Sequence, residues 1–175
     1  AVFLLVQTGK LSEFSEITNE SLKIVGPILF ITAAGGVLGK VITDAGFVTY
    51  IKDNATAIKA AGIFFPFLIS AVLKTAQGSS TVAIITTASI MGAFNANGSL
   101  MQVLGFTSEM SGALVVMAIA AGAMTVSHAN DSYFWVVTNF SKMNPQQGYR
   151  TQTMLTLIMG ITGMISVWIL SLFLI

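Results

Sequence analysis

Two polar interruptions, KTAQGSST at 74–81 and SHANDS at 127–132, cut the apolar part of this chain into unusually short lengths. The first is flanked by AAGIFFPFLISAVL and VAIITTASIMGAF, the second by GALVVMAIAAGAM and YFWVVTNF. A helix needs about 20 apolar residues to cross a bilayer, so each flank is only a partial crossing. Backbone that leaves the helix at membrane depth is tolerated only where protein buries it or it lines a cavity. The pattern predicts an all-α integral membrane protein with a re-entrant hairpin or broken helix at 74–81 and a second break at 127–132.

Composition points the same way. Of the 175 residues, 54% are hydrophobic and only 9% charged, with mean hydropathy +0.83. Soluble domains carry about 25% charged residues, and so few here could not cover a soluble surface. The formal net charge of +1 excludes the basic footprint of a nucleic-acid binder. With no cysteine and one histidine, neither a disulfide scaffold nor a thiolate or histidine metal site is expected, and no cofactor is implied.

Around the interruptions the chain reads as about five membrane-inserted units. Residues 11–23, LSEFSEITNESLK, suit an aqueous or interfacial stretch, and a span is predicted from near Leu22 to Gly39, extended by Val41 and Ile42. Pro27 then falls near its start, Gly35 and Gly39 permit close helix approach, and Lys40 and Asp44 pair four residues apart. Residues 44–59 form a connection with a short amphipathic piece. Ser108 is the predicted N-cap of the next helix, and Asn144-Pro145 with Gln147 predicts a capping box. Residues 151–175 carry no charge and form one spanning helix. Phe134, Trp135 and Trp168 are candidate interfacial anchors. Lys142 and Arg150 place the loop 141–150 in the cytoplasm by the positive-inside rule. A transporter is normally built from two repeats or halves. The segment 1–175 is therefore expected to be the C-terminal membrane portion of a longer permease, incomplete at its N-terminus. A small homo-oligomeric membrane protein is the plainer alternative.

A chain break at Gly78 would start a half-helix near Ser79, exposing unpaired N–H groups at its positive end. With the hydroxyls of Ser79, Ser80 and Thr81, the amide of Gln77 and the charge of Lys74, such a tip suits a carboxylate or polyhydroxylated anion. The alternative is an ordinary helix whose hydroxyls bond back to the preceding turn while Lys74 snorkels. In the second interruption, His128 and Asp131 are three residues apart and could share a face as a proton relay. Asp131 with Asn130 could equally supply oxygens to sodium. A loop at headgroup level is the remaining reading. Serine, histidine and aspartate also occur in hydrolases, but the serines sit in QGSST rather than a GxSxG elbow.

The strings ILFITAAGGVLGKVITDAG at 28–46, KTAQGSSTVAIITTASI at 74–90 and SHANDSYFW at 127–135 resemble the gluconate permease (gluconate:proton symporter) family. Its members are much longer, and the match looks like their C-terminal portion. The resemblance implies an ion-transporter-like bundle in a bacterial inner membrane, taking up gluconate or a related sugar acid with protons. Other small acids of the D-serine kind are moved by relatives. By the same likeness KTAQGSST is the hairpin tip and SHANDS the unwound part of a later helix. Lys74, Gln77, Gly78, Ser79, Ser80, Thr81, Asn130 and Ser132 then bind substrate, and His128 with Asp131 handles the proton. Partners are the sugar acid, the proton, the lipid bilayer, the rest of the permease and, in an oligomer, further copies. Tyr133 departs from the family pattern, where a small residue is expected.

Overall fold

The computed structural model describes residues 2–46, 49, 50, 53 and 55–174, without side chains for most of 24–43 and for 55–57. Every regular element among them is helical. The chain divides into two compact units, Ala1–Ala34 and Gly35–Ile175.

In the first part, α1 covers Val2–Gln7 and, after a 3-10 turn at Leu11–Glu13, α2 runs without interruption over Phe14–Asp44. The polar stretch assigned to an interfacial segment is therefore helical from Phe14 onward. Its Glu, Leu and Lys residues are good helix formers, and Lys23 pairs with Glu20 at 2.5 Å across one turn. Pro27 consequently stands in the helix interior rather than at its start, where it has no N–H to give the ladder. The expected Lys40–Asp44 pair depends on the Lys40 side chain, which lies outside the described residues, as does the packing around Gly35 and Gly39.

The second part carries the site. A short α3, Ala55–Ala61, leads to α4, Phe64–Gln77, and α5, Ser80–Met91. A short α6, Leu100–Leu104, not anticipated from sequence, precedes α7, Glu109–Ala123. Then come α8, Ser132–Phe140, and α9, Pro145–Leu174, which contains a π-helical turn at Tyr149–Thr153. The expected caps are present. Ser108 accepts from the Ser111 N–H, and Asn144 forms a capping box with Gln147 behind Pro145. Among the described residues α9 alone is long and apolar enough to cross a membrane; α4, α5 and α7 are shorter apolar helices.

Helix α7 is the hub, packed against α4, α5 and α9. It is apolar on all sides, burying one face against these neighbours while Ala113, Val116 and Met117 stay exposed. Leu114, Val115, Ala118 and Ile119 join Ile90, Met91 and Met164 in a single core. Approach is closest at two glycines. A Cβ on Gly122 would overlap the Phe67 carbonyl of α4, and one on Gly160 would overlap the Thr125 side chain. Small residues at such crossings let backbones meet. The Ser70 hydroxyl uses that proximity to donate to the Ile119 carbonyl at 2.8 Å.

Phe134 is not an interfacial anchor. It is fully buried, edge-on to Trp135 and 5.1 Å from the Tyr149 ring, because α8 folds back onto the start of α9. Trp168 remains partly exposed and tilts against Phe64.

Replacing Gly122 by Val should lower stability by about 1–3 kcal/mol or more through overpacking. Ala113→Val, on the exposed side of α7, should stay within roughly 0.5 kcal/mol. Thermal unfolding of the purified protein in detergent distinguishes the two, and equal effects would mean α4 and α7 do not meet at Gly122.

Candidate functional site

Helix α4 ends at Gly78, whose φ of 75° lies in the left-handed region. The chain turns there and restarts at once, with Ser79 extended and its side chain accepting from the Val82 N–H at 3.3 Å. The first interruption is thus a tight helix–turn–helix, not a continuous helix with back-bonded hydroxyls. No other residue type fits position 78. Besides its φ, a Cβ there would collide with the Asn130 carbonyl. That collision reports the central fact of the site: the turn at 78–79 lies directly against the second interruption.

The second interruption is irregular as well. After α7 ends, residues 124–131 run without regular helix, and Asp131 caps α8 by accepting from the Tyr133 N–H at 2.9 Å. The two breaks are joined by an ion pair. Lys74 Nζ lies 2.5 Å from Asp131 Oδ2, with Lys74 2% and Asp131 5% exposed. Lys74 also donates to the Gly78 carbonyl at 3.0 Å, and the Ser127 hydroxyl donates to Asp131 Oδ2 at 2.6 Å. Lys74 does not snorkel. It sits in the last turn of α4, where the helix dipole is negative, and Asp131 sits at the positive end of α8. Each charge is thereby matched by a helix end as well as by its partner.

His128 and Asn130 serve a different purpose. The last carbonyls of α4 have no intrahelical donor. Asn130 Nδ2 donates to Thr75 O at 2.9 Å and to Ala76 O at 3.3 Å. His128 Nε2 lies 3.0 Å from Thr75 O. A carbonyl can only accept, so Nε2 carries the proton and Nδ1 is left for another partner. His128 and Asp131 therefore face different groups, and the carboxylate meets Lys74 and Ser127 instead.

The candidate residues fall into two sets. Lys74, Gly78 and Asp131 are buried, Ser79, Ser80 and His128 are half-buried, and Gln77, Thr81, Asn130 and Ser132 are exposed. Gly78 touches Asn130 and Lys74 touches Asp131, so the two motifs form one cluster. Tyr133 points outward at 60% exposure, and only its backbone contacts the carboxylate. Sequence reasoning passed over Ser127, although its four-residue spacing from Asp131 was available. It also passed over Thr153 and Thr156 of α9, which bond the Ser127 backbone and which no sequence signal marked. An apolar groove of about 480 Å³, between α4 and α9, ends at Thr75, Ala76 and Val126. Its lining suits hydrocarbon, not a polyhydroxylated acid.

Two short apolar helices thus meet an irregular segment through a buried ion pair. The chain matches the GntP family permease profile over residues 1–173 and belongs to that family. It is 33% identical over 158 residues to the inner membrane permease YgbN of Escherichia coli K12, covering 90% of this chain and 33% of that protein. It is 29% identical over 157 residues to the Gnt-II system L-idonate transporter of the same organism, covering 90% and 34%. Against a gluconate permease of Bacillus subtilis it is 30% identical over 154 residues, covering 88% and 32%. The chain thus spans about a third of the length of these curated relatives. No solved structure matches it. The family is one of permeases, which removes the Ser–His hydrolase reading.

Removing one partner of the buried pair, in Lys74→Ala or Asp131→Ala, should cost about 3–5 kcal/mol by stranding the other charge. The double variant Lys74→Met with Asp131→Leu should recover most of that loss, since a well-packed apolar pair is often neutral. Unfolding midpoints of the three variants check it. A double variant as unstable as the singles would show that the pair is not buried as described.

Proposed function

We propose that this chain is part of a secondary active transporter that imports gluconate or a related sugar acid together with protons across a bacterial inner membrane. The observation that carries the proposal is the buried Lys74–Asp131 pair, which ties the hairpin turn to the unwound segment. In this reading α4 and α5 form a re-entrant hairpin within a multi-pass bundle completed by the rest of the permease. Relatives named for gluconate and L-idonate support a sugar acid as the substrate class.

The coupling follows from charge. With Asp131 ionised, the pair is neutral and holds the two breaks together. A proton on Asp131 removes its charge and leaves the Lys74 ammonium uncompensated at a buried position. An entering carboxylate restores neutrality, so proton and acid bind as a set and neither crosses readily alone. His128, half-buried and bonded to the Thr75 carbonyl, relays the proton between water and Asp131 only after turning away from that carbonyl. Ser79, Ser80 and Thr81 at the positive end of α5, with Gln77 from the last turn of α4, hold the carboxylate and hydroxyls, with Gly78 keeping the backbone open. Asn130 and Ser132 complete the pocket from the other break. Sodium coupling is less well supported, because both Asp131 oxygens already accept from Lys74, Ser127 and the Tyr133 N–H.

Labelled D-gluconate uptake into cells carrying the intact gene tests this. Accumulation should collapse with a protonophore, and Asp131→Asn should abolish accumulation while retaining part of the exchange. Uptake that survives the protonophore and requires sodium would overturn proton coupling. Loss of exchange and accumulation alike would give Asp131 a structural role.

Ser79→Ala should raise the apparent substrate constant by roughly three- to tenfold, the loss of one hydrogen bond. Ser99→Ala, which removes the equivalent cap of α6 away from the site, should leave the constant unchanged. If both variants shift it equally, Ser79 acts only as a helix cap.

A further inference from the structure

Helix α9 leaves α geometry at one place, and the last residue of that turn bonds the first residue of the second interruption, next to a strained valine. Tyr149–Thr153 form a π-helical turn. Such a turn inserts an extra residue into the helical ladder and re-aims the side chains around it, and π turns recur at functional sites. Thr153, its last residue, and Thr156 are three residues apart on one face. Thr153 Oγ1 donates to the Ser127 carbonyl at 2.6 Å, and the Ser127 N–H donates to Thr156 Oγ1 at 3.0 Å. Thr156 passes its own proton back to α9, 3.0 Å from both the Gln152 and Thr153 carbonyls. Both backbone polar groups of Ser127 are thus held by two hydroxyls of one helix.

The residue before Ser127 explains why so firm a hold is needed. Val126 has φ 45°, a left-handed conformation that a β-branched side chain resists. Strain of this kind persists only where the surroundings over-determine it. The residue itself leads to the ion pair, because Ser127 Oγ donates to Asp131 Oδ2. Helix packing alone would need only complementary shape. Here the contacts fall on the N–H and the carbonyl of a single residue, between the strained turn and the carboxylate.

We infer that Thr153 and Thr156 are positioning residues. Through the Ser127 backbone they hold the left-handed turn at Val126, aim the Ser127 hydroxyl at Asp131, and so fix the orientation in which Asp131 meets Lys74. The other groups facing the carboxylate are the Lys74 ammonium from α4 and the Tyr133 N–H from α8, while His128 is turned to the Thr75 carbonyl. Where Asp131 carries the coupled proton, as the transport reading has it, α9 becomes the element that reports its own position to the proton site. A rotation of α9 withdraws both hydroxyls together, lets Val126 relax and frees the carboxylate. The inference rests on that reading for its meaning in transport, but the positioning itself does not.

The test uses the intact gene product in membrane vesicles and a hydrophobic carbodiimide, which couples to protonated carboxyl groups, with the modification of Asp131 followed by peptide mass spectrometry. Thr153→Val and Thr156→Val should each label about tenfold faster than wild type, as expected when a hydrogen bond to a charged group is lost. Thr153→Ser and Thr156→Ser, which restore the hydroxyls, should label at the wild-type rate. Ser127→Ala should reproduce the fast rate, and adding Thr153→Val to it should increase the rate no further, since the two act through one contact. Wild-type rates in both valine variants, or additive effects with Ser127→Ala, would overturn the inference.

Amide hydrogen exchange in the unmodified protein decides the matter should the valine variants fail to fold. Protection of the Ser127 N–H supports the hold, and exchange as fast as in the exposed 95–98 loop refutes it. D-gluconate uptake by the same vesicles reads the transport assignment separately. Absent uptake in wild type with the labelling pattern intact would remove that substrate and leave the positioning role standing.

Discussion

A lysine and an aspartate buried together in an otherwise apolar chain are the constraint around which the second part of this molecule is arranged. Either charge alone would be costly to remove from water. As a pair, their attraction offsets the desolvation only if the geometry is good and the remaining lone pairs and protons are used. Here they are used: Lys74 adds the Gly78 carbonyl, and Asp131 adds Ser127 and the N–H of Tyr133. Such a pair is rarely retained for stability, because an apolar pair of the same volume serves about as well. In the proposed transport reading its work is one that apolar residues cannot do, namely gaining and losing charge.

The same constraint governs the backbone. Chain that leaves the helix away from water must find partners for its polar groups. Around the two breaks it finds them in each other. Asn130 and His128 cap the Thr75 and Ala76 carbonyls, and Thr153 and Thr156 take both polar groups of Ser127. Gly78 is the point where the breaks touch, and the absence of a Cβ permits it. The interruptions that made each apolar stretch too short to span are thus satisfied as a joint structure, and neither would be stable alone.

Much of this was legible in the sequence, and what was not has physical reasons. The break at Gly78, the N-caps at Ser108 and Asn144, and the irregular SHANDS segment all follow from local chemistry that a short window contains. The helical start of α2 at Phe14 lies ahead of the span expected from Leu22, because a polar stretch with three glutamates can be helical whether or not it enters a membrane. The partner of Asp131 was assigned to His128 by proximity in sequence, whereas the actual partner lies 57 residues away. Phe134 was read from composition as an anchor, though the fold of α8 onto α9 buries it. The π turn at 149–153 shifts the register of α9 with no signature in periodicity, so Thr153 and Thr156 could emerge only from the three-dimensional arrangement.

The cluster is gripped from two sides by contacts of unequal strength. On one side the hairpin holds Asp131 through a charge-assisted bond and is fastened to α7 at Gly122 and Ser70. On the other side α9 holds Ser127 through neutral hydroxyl bonds, each worth about 0.5–1.5 kcal/mol. Any motion that exposes the site to alternate faces of a membrane must release one grip while the other keeps the parts in register. The neutral bonds are the cheaper to break while Asp131 is ionised. Protonation reverses the order, because it weakens the hairpin's grip and leaves the hydroxyl bonds untouched. In the proposed transport reading, the charge state of one carboxylate thereby selects which element is free to move, which is the link a transporter needs between binding a proton and changing shape.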